Sequence, residues 1–138
     1  MFILDTNILS DLIRKNANAG LLKKLREIPA ESIYTTSINV MELRFGAAGR
    51  DDERKFWDRI KSEILSKVSI LGFYEKEAVI CGDILADLNR RGEKIGIEDS
   101  MIAAIAASHG FTVVTANTRH LSRVKSIRVE NWLITPAP

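Results

Sequence analysis

Short apolar runs alternate along the chain with segments of helical periodicity. The predicted strands lie at residues 2–5 (FILD), 32–36 (SIYTT), 68–71 (VSIL), 111–115 (FTVVT) and, as a short fifth strand, 127–129 (IRV). The last long strand, FTVVT, is a nearly continuous apolar run, which is typical of a strand buried on both faces of a sheet. Such strands predict a sheet that lies inside the molecule and is covered on both sides.

Helical patterns occupy the intervals between these strands. The predicted helices lie at residues 6–27 with a break near 16–20, at 38–47, 51–67, 75–91 and 98–109. Ser37 is the expected N-cap of the second of these helices, and Gly92 and Gly110 are expected to end the last two. Strands separated by helices favour right-handed crossovers. The predicted fold class is therefore α/β, with three layers (α/β/α) around a central parallel sheet of four to five strands.

Composition and length indicate one soluble domain. The chain has 138 residues, of which 46% are hydrophobic and 28% charged, so we expect a single domain over residues 1–138. No apolar run approaches the roughly 20 residues that span a bilayer. The first apolar run follows no basic segment and is interrupted by Asp5, which excludes a signal peptide. A cytoplasmic protein without a membrane segment is expected, and the lone Cys81 excludes an internal disulfide.

Charge alone does not identify a nucleic-acid partner. The formal net charge is +2, from 20 basic and 18 acidic residues. Residues 117–128 carry Arg119, Arg123, Lys125 and Arg128 without an acid, and such a basic edge can contact phosphates. A solvated surface explains the same charges, and on charge alone it is the better interpretation.

Three acids fall at the ends or inner faces of predicted core elements. Asp5 directly follows the first strand, at the sheet edge where open α/β sheets place their sites. Ile38, Met41 and Phe45 recur at helical spacing, and Glu42 shares their apolar face. Asp99 opens an Ala-rich helix that can approach its neighbours closely.

Each acid has an ordinary explanation when it is taken alone. Asp5 can cap the following helix, Glu42 can pair with Arg44 or a distant arginine, and Asp99 can stabilise a helix N-terminus. Together they favour a shared explanation, because converging carboxylates repel and desolvate one another. A hard divalent cation such as Mg²⁺ or Mn²⁺, which takes oxygen ligands, would compensate them.

Two further polar residues follow the fourth strand at the same edge. Thr115 and Asn117 lie just beyond the apolar run of FTVVT. Asn117 can ligate a cation through its carbonyl oxygen, but it brings no charge. A turn residue or a helix N-cap is an equally good interpretation of Asn117.

Four segments of the chain together resemble the PIN-domain ribonucleases, and specifically the VapC-type toxins of bacterial and archaeal toxin–antitoxin pairs. The matching segments are FILDTNILSDL, TSINVMELRFGA, IGIEDSMIAAIAASHG and VVTANTRHLSRV, in the family's order and spacing across nearly the whole chain. The resemblance implies a PIN-like fold and an endoribonuclease that uses Mg²⁺ or Mn²⁺.

The resemblance also assigns residues. Asp5, Glu42 and Asp99 match the three core acids of the family, as catalytic residues and metal ligands. Asn117 stands where the family often has a further acid, so it is a catalytic candidate whose uncharged side chain puts a second metal ion in doubt. The predicted substrate contacts are Thr6, Asn7, Thr115 and, from the basic edge, Arg119.

The implied partners are RNA, a cognate VapB-like antitoxin and a second copy of the chain. Single-stranded RNA or a loop is the expected substrate, because its bases are already accessible. A homodimer is expected, and a heterotetramer or larger assembly with the antitoxin. An arginine of the antitoxin could neutralise the acids.

Two other function classes stay open at this point. A non-catalytic PIN-like module in a DNA-bound regulatory complex is favoured by the missing fourth acid and disfavoured by the three acids present. A phosphotransfer enzyme with Asp5 as nucleophile expects another acid two residues on, where this chain has Asn7, or a lysine after a later strand, which FTVVTAN lacks.

Overall fold

The computed structural model describes residues 1–133 and contains one sheet of five parallel strands. The strands are β1 (Phe2–Leu4), β2 (Ile33–Thr36), β3 (Ser69–Leu71), β4 (Thr112–Val114) and β5 (Arg128–Glu130). Their order across the sheet is β3-β2-β1-β4-β5. The predicted α/β class and the fifth strand are confirmed, and the last five residues of the predicted domain 1–138 lie outside the described residues.

Seven α-helices connect or cover the strands within residues 1–133. They are α1 (Thr6–Leu12), α2 (Ala19–Glu27), α3 (Ser37–Ala48), α4 (Glu53–Glu63), α5 (Glu75–Arg90), α6 (Ile97–His109) and α7 (Thr118–Leu121). Two single turns of 3₁₀-helix lie at Ala30–Ser32 and Leu65–Lys67. No helix in this part of the chain combines the length and the apolar character needed to cross a membrane.

The sheet separates two apolar cores, which makes the fold three-layered as predicted. Ile3 and Val113 face a core built with α5 and α6, whereas their neighbours Leu4 and Val114 face a core built with α1 to α4. Successive strand residues point to opposite faces, so continuous apolar strands feed both cores at once. Cys81 is a free, buried member of the first core.

The predicted break in the 6–27 helix is confirmed. Buried Asp11 accepts the backbone N–H of Asn18 at 2.7 Å, which turns the chain between α1 and α2. The side chain of Asn18 then caps α2 by accepting the N–H groups of Gly20 and Leu21. A polar side chain that bonds the backbone in this way competes with helix continuation.

Two helix boundaries differ from the prediction. The N-cap of α3 is Thr36 and not Ser37, because Thr36 and Asn39 form a reciprocal capping box. The predicted helix 51–67 contains an α-helix only from Glu53 to Glu63. Ile64 leaves α geometry (φ −117°, ψ −66°), and the chain tightens into a 3₁₀ turn before β3. The short helix α7 was not predicted from the sequence.

The strand order places a topological switch point beside β1. From β1 the chain builds β2 and β3 on one side of the sheet and then returns to place β4 on the other side of β1. The carboxyl ends of β1 and β4 therefore lie side by side where the winding reverses, which is where open α/β sheets form their sites. Asp5 follows β1 and Thr115 follows β4, so both lie at this position.

A carboxylate between α5 and α6 gives the fold a pH-dependent stability. Glu77 accepts the Ser108 hydroxyl at 2.7 Å and the Tyr74 N–H at 3.0 Å, and the Ser108 hydrogen bond is the main reason that the pKa of Glu77 lies below its ordinary 4.5. We expect Glu77→Gln to lower the free energy of unfolding by about 1 kcal/mol at pH 7, because charged acceptors form the stronger bonds.

The pH dependence of that loss is fixed in sign. A lowered pKa in the folded state stabilises the fold above the ordinary pKa and ceases to do so as the pH falls through the folded-state value. Urea unfolding from pH 7 to pH 3 should therefore show the difference between the wild type and Glu77→Gln disappearing at the acidic end. Asp83→Asn, at an exposed position of the same helix, is the matched control, because it removes a charge from α5 and leaves both hydrogen bonds of Glu77 in place.

Candidate active site

Asp5 is buried at the carboxyl end of β1 and receives four hydrogen bonds. Its Oδ1 accepts the Thr6 N–H at 2.9 Å and the Asn39 amide at 2.9 Å. Its Oδ2 accepts the Thr115 hydroxyl at 2.7 Å and the Asn7 amide at 3.3 Å. Asp5 is also the N-cap of α1, so the prediction that it caps the following helix is confirmed as well. These donors offset the cost of burying the carboxylate.

Glu42 lies on α3 and is joined to the same network by a hydroxyl. The Thr6 hydroxyl donates to Oε1 of Glu42 at 2.7 Å. The alternative prediction that Glu42 pairs with Arg44 is wrong, because the Arg44 guanidinium pairs with Glu53. Glu42 is half-buried without a basic partner among the hydrogen bonds and ion pairs within residues 1–133.

Asp99 lies in the first turn of α6 and contacts Asn117. The Asn117 amide donates to Oδ2 of Asp99 at 3.3 Å, and the Asn117 backbone N–H donates to the Thr115 hydroxyl at 2.9 Å. Asn117 occupies the N-cap position of α7, but its side chain makes no capping bond. The N-cap interpretation therefore describes its backbone, while its side chain is directed to the acid.

The negative charge of Asp5 affects the ionisation of the other two acids. The pKa of Glu42 and the pKa of Asp99 are both raised, chiefly by burial, and the negative charge of Asp5 adds to the rise in each. Hydrogen bonds from Thr6 to Glu42 and from Asn117 to Asp99 act in the opposite direction. Such repulsion between partly buried carboxylates is what a bound cation would relieve.

The predicted face of Glu42 requires a correction. Met41 and Phe45 are 51% and 83% exposed, so they do not belong to a core-facing stripe. The buried positions of α3 are instead Ile38, Asn39, Leu43 and Ala47. Glu42 lies at the border of this buried face, which leaves its carboxylate accessible at the sheet edge.

Three predicted substrate contacts are engaged with the acids themselves. Thr6 bonds Glu42, and both Asn7 and Thr115 bond Asp5. These side chains hold the carboxylates, which favours a positioning role over direct binding of a substrate. Arg119 is exposed on α7, two residues after Asn117, and its contact with a substrate stays a prediction.

Asn39 belongs to the site and was missed by sequence reasoning. It is fully buried, and its amide donates to Asp5 and to the Thr6 hydroxyl, each at 2.9 Å. The available signal was the spacing of Thr36 and Asn39, which matches the N-cap and N3 positions of a capping box. That signal locates a helix start and says nothing about a contact with Asp5.

A cleft of about 620 Å³ opens beside Thr6 and Glu42, between α1, α3 and α4. Apolar side chains that include Leu9, Ile13 and Phe56 line it. Four cationic side chains also line it, namely Arg14, Lys15, Arg50 and Arg59. The cleft therefore combines an apolar lining, basic residues and an acidic end.

The donor set suits a hard divalent cation held with additional ligands. The available donors are carboxylate and amide oxygens at one sheet edge, the type that Mg²⁺ and Mn²⁺ prefer. Within residues 1–133, no three His, Cys, Asp or Glu side chains form a closed ligand cluster. An ion shared by Asp5, Glu42 and Asp99 would therefore need waters and substrate phosphate to complete its shell.

Comparison with known proteins gives consistent matches over most of the chain. Residues 2–127 match the family model described as PIN domain. The chain is 35% identical over 133 residues to ribonuclease VapC2 of Haemophilus influenzae, covering 96% of this chain and 98% of that protein. It is 34% identical to the tRNA(fMet)-specific endonuclease VapC of Shigella flexneri, covering 95% and 97%.

A solved structure shares the fold at similar identity. The crystal structure of DNA-bound VapBC from Salmonella typhimurium matches with a TM-score of 0.85 and 33% identity, covering 95% of this chain and 97% of that one. The five-stranded parallel sheet and its helical layers thus form a fold that this protein shares with a chain of that VapBC structure.

Proposed function

We propose a function from the fact that this chain belongs to the PIN-domain family and to its VapC-type ribonucleases. The protein is a Mg²⁺- or Mn²⁺-dependent endoribonuclease and the toxin of a toxin–antitoxin pair. The observation that carries the proposal is the hydrogen-bond network at the switch point of the sheet, which connects Asp5 with Glu42 on one side and with Asp99 on the other. The family match over residues 2–127 supports a single domain over 1–138.

The chain's own residues would hold the ion and orient the reacting groups. Asp5, Glu42 and Asp99 supply the carboxylate ligands, and Thr6, Asn7, Asn39 and Thr115 keep Asp5 and Glu42 in place. When bound, the ion supplies Lewis-acid polarisation of the scissile phosphate and an acidified water. Asn117 fixes Asp99 without adding charge, so one tightly held ion is the proposed stoichiometry.

The proposed substrate is single-stranded or looped RNA. One relative is named as a tRNA(fMet)-specific endonuclease, which acts on a structured RNA. Arg119 lies beside the site on the exposed side of α7, where a guanidinium can bond a phosphate. The acids would repel RNA unless such cations and the bound ion offset them.

The proposed protein partner is a cognate antitoxin that inhibits the toxin in the cytoplasm. The related Salmonella toxin was crystallised as DNA-bound VapBC. In this chain the cleft offers an apolar lining for antitoxin side chains and includes one of the three acids, Glu42, where an antitoxin arginine could bind. A homodimer, with a heterotetramer or larger assembly with the antitoxin, is part of the proposal.

Metal-dependent cleavage of a labelled RNA panel tests the nuclease proposal. We expect protein freed of co-purified antitoxin to cleave in Mg²⁺ or Mn²⁺, to stop in EDTA and to recover when the metal is restored. The panel should contain unstructured RNA and transfer RNA, because their relative rates define the substrate class. Cleavage that continues in EDTA after metal removal would contradict the proposal.

A non-catalytic, DNA-bound module is the second candidate function. The DNA in the related VapBC crystal and Asn117 in place of a further acid favour it. It predicts binding of operator DNA together with the antitoxin and no cleavage of any RNA in the panel under either metal. The same measurement therefore separates the two candidates.

A further inference from the structure

We propose that Asn39 is a positioning residue that fixes two site carboxylates at once, Asp5 directly and Glu42 through the Thr6 hydroxyl. The inference rests on the proposed function, since it concerns how the ion-binding acids are held. Asn39 lies on α3 beneath the site, where its fully buried side chain reaches neither solvent nor substrate. Its role is therefore exerted through other side chains.

The hydrogen bonds of Asn39 leave its amide a single orientation. Its Nδ2 donates to Oδ1 of Asp5 and to Oγ1 of Thr6, each at 2.9 Å. Its Oδ1 accepts the Thr36 hydroxyl at 2.7 Å and the Thr36 N–H at 3.2 Å. An amide has two donor hydrogens and two acceptor lone pairs, so all four are used. Turning the amide over would place its donors against the Thr36 N–H.

The connection to Glu42 follows from the single proton of a hydroxyl group. Because Oγ1 of Thr6 accepts from Asn39, that lone pair is occupied and the hydroxyl proton is directed to Oε1 of Glu42 at 2.7 Å. The Asn39 amide thus sets the orientation of Asp5 directly and that of Glu42 through the Thr6 hydroxyl. Loss of Asn39 would release both.

The role predicts a change in ion binding that does not need RNA. Side chains that orient metal ligands typically contribute 10- to 100-fold to metal affinity. We expect Asn39→Leu, which is close in size and has no polar atoms, to raise the Kd for Mn²⁺ by about 10- to 100-fold in calorimetry on the metal-free full chain. RNA cleavage should then need correspondingly more metal, and saturating metal should restore part of the rate.

Thr35→Val is the matched control. Thr35 is as deeply buried as Asn39 and precedes α3 on β2, and its hydroxyl donates to the Leu4 carbonyl at 2.8 Å. Its removal deletes a buried hydrogen bond near the site without touching an acid. We expect Thr35→Val to lower the urea midpoint and to leave the Kd for Mn²⁺ within twofold of the wild-type value, which separates positioning from stability.

A second variant keeps the test decisive if Asn39→Leu fails to fold. Thr6→Val removes the hydroxyl that connects Asn39 with Glu42 and leaves the bond from Asn39 to Asp5 in place. Asn39→Ser replaces the amide by a smaller side chain, which avoids the added bulk of leucine. In a double-mutant cycle, the variant that carries both Thr6→Val and Asn39→Ser should raise the Kd for Mn²⁺ by less than the product of the two single effects, because both changes interrupt the same connection. Multiplicative effects would overturn the connection through Thr6.

The outcomes separate this inference from the proposed function. If the wild type binds Mn²⁺ and Asn39→Leu or Asn39→Ser binds it with the same Kd, the proposed role of Asn39 is overturned and the nuclease proposal stands. Wild-type protein that binds no Mn²⁺ overturns metal dependence itself. Weakened binding in the Asn39 variants, with normal binding in Thr35→Val, is the expected result.

Discussion

Asp99→Asn is expected to reduce RNA cleavage by about 10³-fold or more and to leave the fold at least as stable as the wild type. Metal-assisted stabilisation of the transition state is worth several kcal/mol, and each 1.36 kcal/mol corresponds to a factor of ten in rate. Within residues 1–133, the Asp99 side chain accepts one hydrogen bond, from the Asn117 amide at 3.3 Å, and an asparagine oxygen can also accept it. The exchange therefore removes the charge with little change in shape.

The stability half of this expectation follows from the direction of the pKa shift. Burial, and next the charge of Asp5, raise the pKa of Asp99 above its ordinary 3.8, so the ionised form is less favourable in the folded than in the unfolded protein. At neutral pH the ionised Asp99 therefore lowers the free energy of unfolding of the wild type, and a neutral asparagine at this position does not. The wild type should regain that difference as the pH falls through the raised pKa of Asp99 toward the ordinary aspartate value, where the difference disappears.

Two measurements check the pair of effects. Single-turnover cleavage in Mg²⁺ should show the rate loss, and urea unfolding in EDTA at pH 7 should show an equal or higher midpoint for Asp99→Asn. Asp58→Asn makes the same chemical change at an exposed position of α4 and should leave cleavage unchanged. Near-wild-type cleavage by Asp99→Asn would remove Asp99 from the proposed catalytic residues.

The sequence was sufficient to predict the sheet edge and the three acids that meet there. Asp5 could be placed because it ends an apolar strand, and Asp99 because it opens an apolar helix; both statements concern neighbours in the chain. The rule that sites lie at the carboxyl ends of parallel strands then joined the two without coordinates. The confirmed five-stranded sheet has the switch point beside β1 that this reasoning needs.

What the sequence could not predict depends on contacts between distant residues. Met41 and Phe45 repeat with helical spacing, yet they are exposed, because periodicity identifies a stripe and not the surface that covers it. Asn39 looks like an ordinary helix-start residue until β1 and α3 are side by side. The Thr115 hydroxyl bonds Asp5 across 110 positions of the chain. Such partners are set by topology, which no local pattern contains.

Asp5→Asn is expected to lower the free energy of unfolding by about 2–4 kcal/mol, although it is the same exchange as Asp99→Asn. Both carboxylate oxygens of Asp5 act as acceptors, and each accepts two hydrogen bonds. An asparagine must turn its NH₂ toward one pair of donors, whichever way it is oriented. Its donors would then face other donors in a buried site, and groups left without an acceptor cost about 1–3 kcal/mol each.

Rotation of the Thr115 hydroxyl cannot remove this conflict. Its oxygen already accepts the Asn7 amide at 3.3 Å and the Asn117 N–H at 2.9 Å, so its lone pairs are occupied and its proton is directed to Asp5. On the other side, the Thr6 N–H is a backbone donor that cannot reverse. The cost therefore follows from the network and not from the loss of a charge alone.

Urea unfolding of the metal-free variants at pH 7 compares the two exchanges directly. Asp5→Asn should unfold at a clearly lower urea concentration than the wild type, and Asp99→Asn should not. If both lost the same stability, the hydrogen bonds around Asp5 would not be what stabilises its buried carboxylate. If Asp5→Asn were as stable as the wild type, one of its four donors would have to accept as well. The opposite behaviour of two neighbouring acids would show that this site holds Asp5 by its hydrogen bonds and leaves Asp99 destabilised by its surroundings, which is the state that a bound cation would relieve.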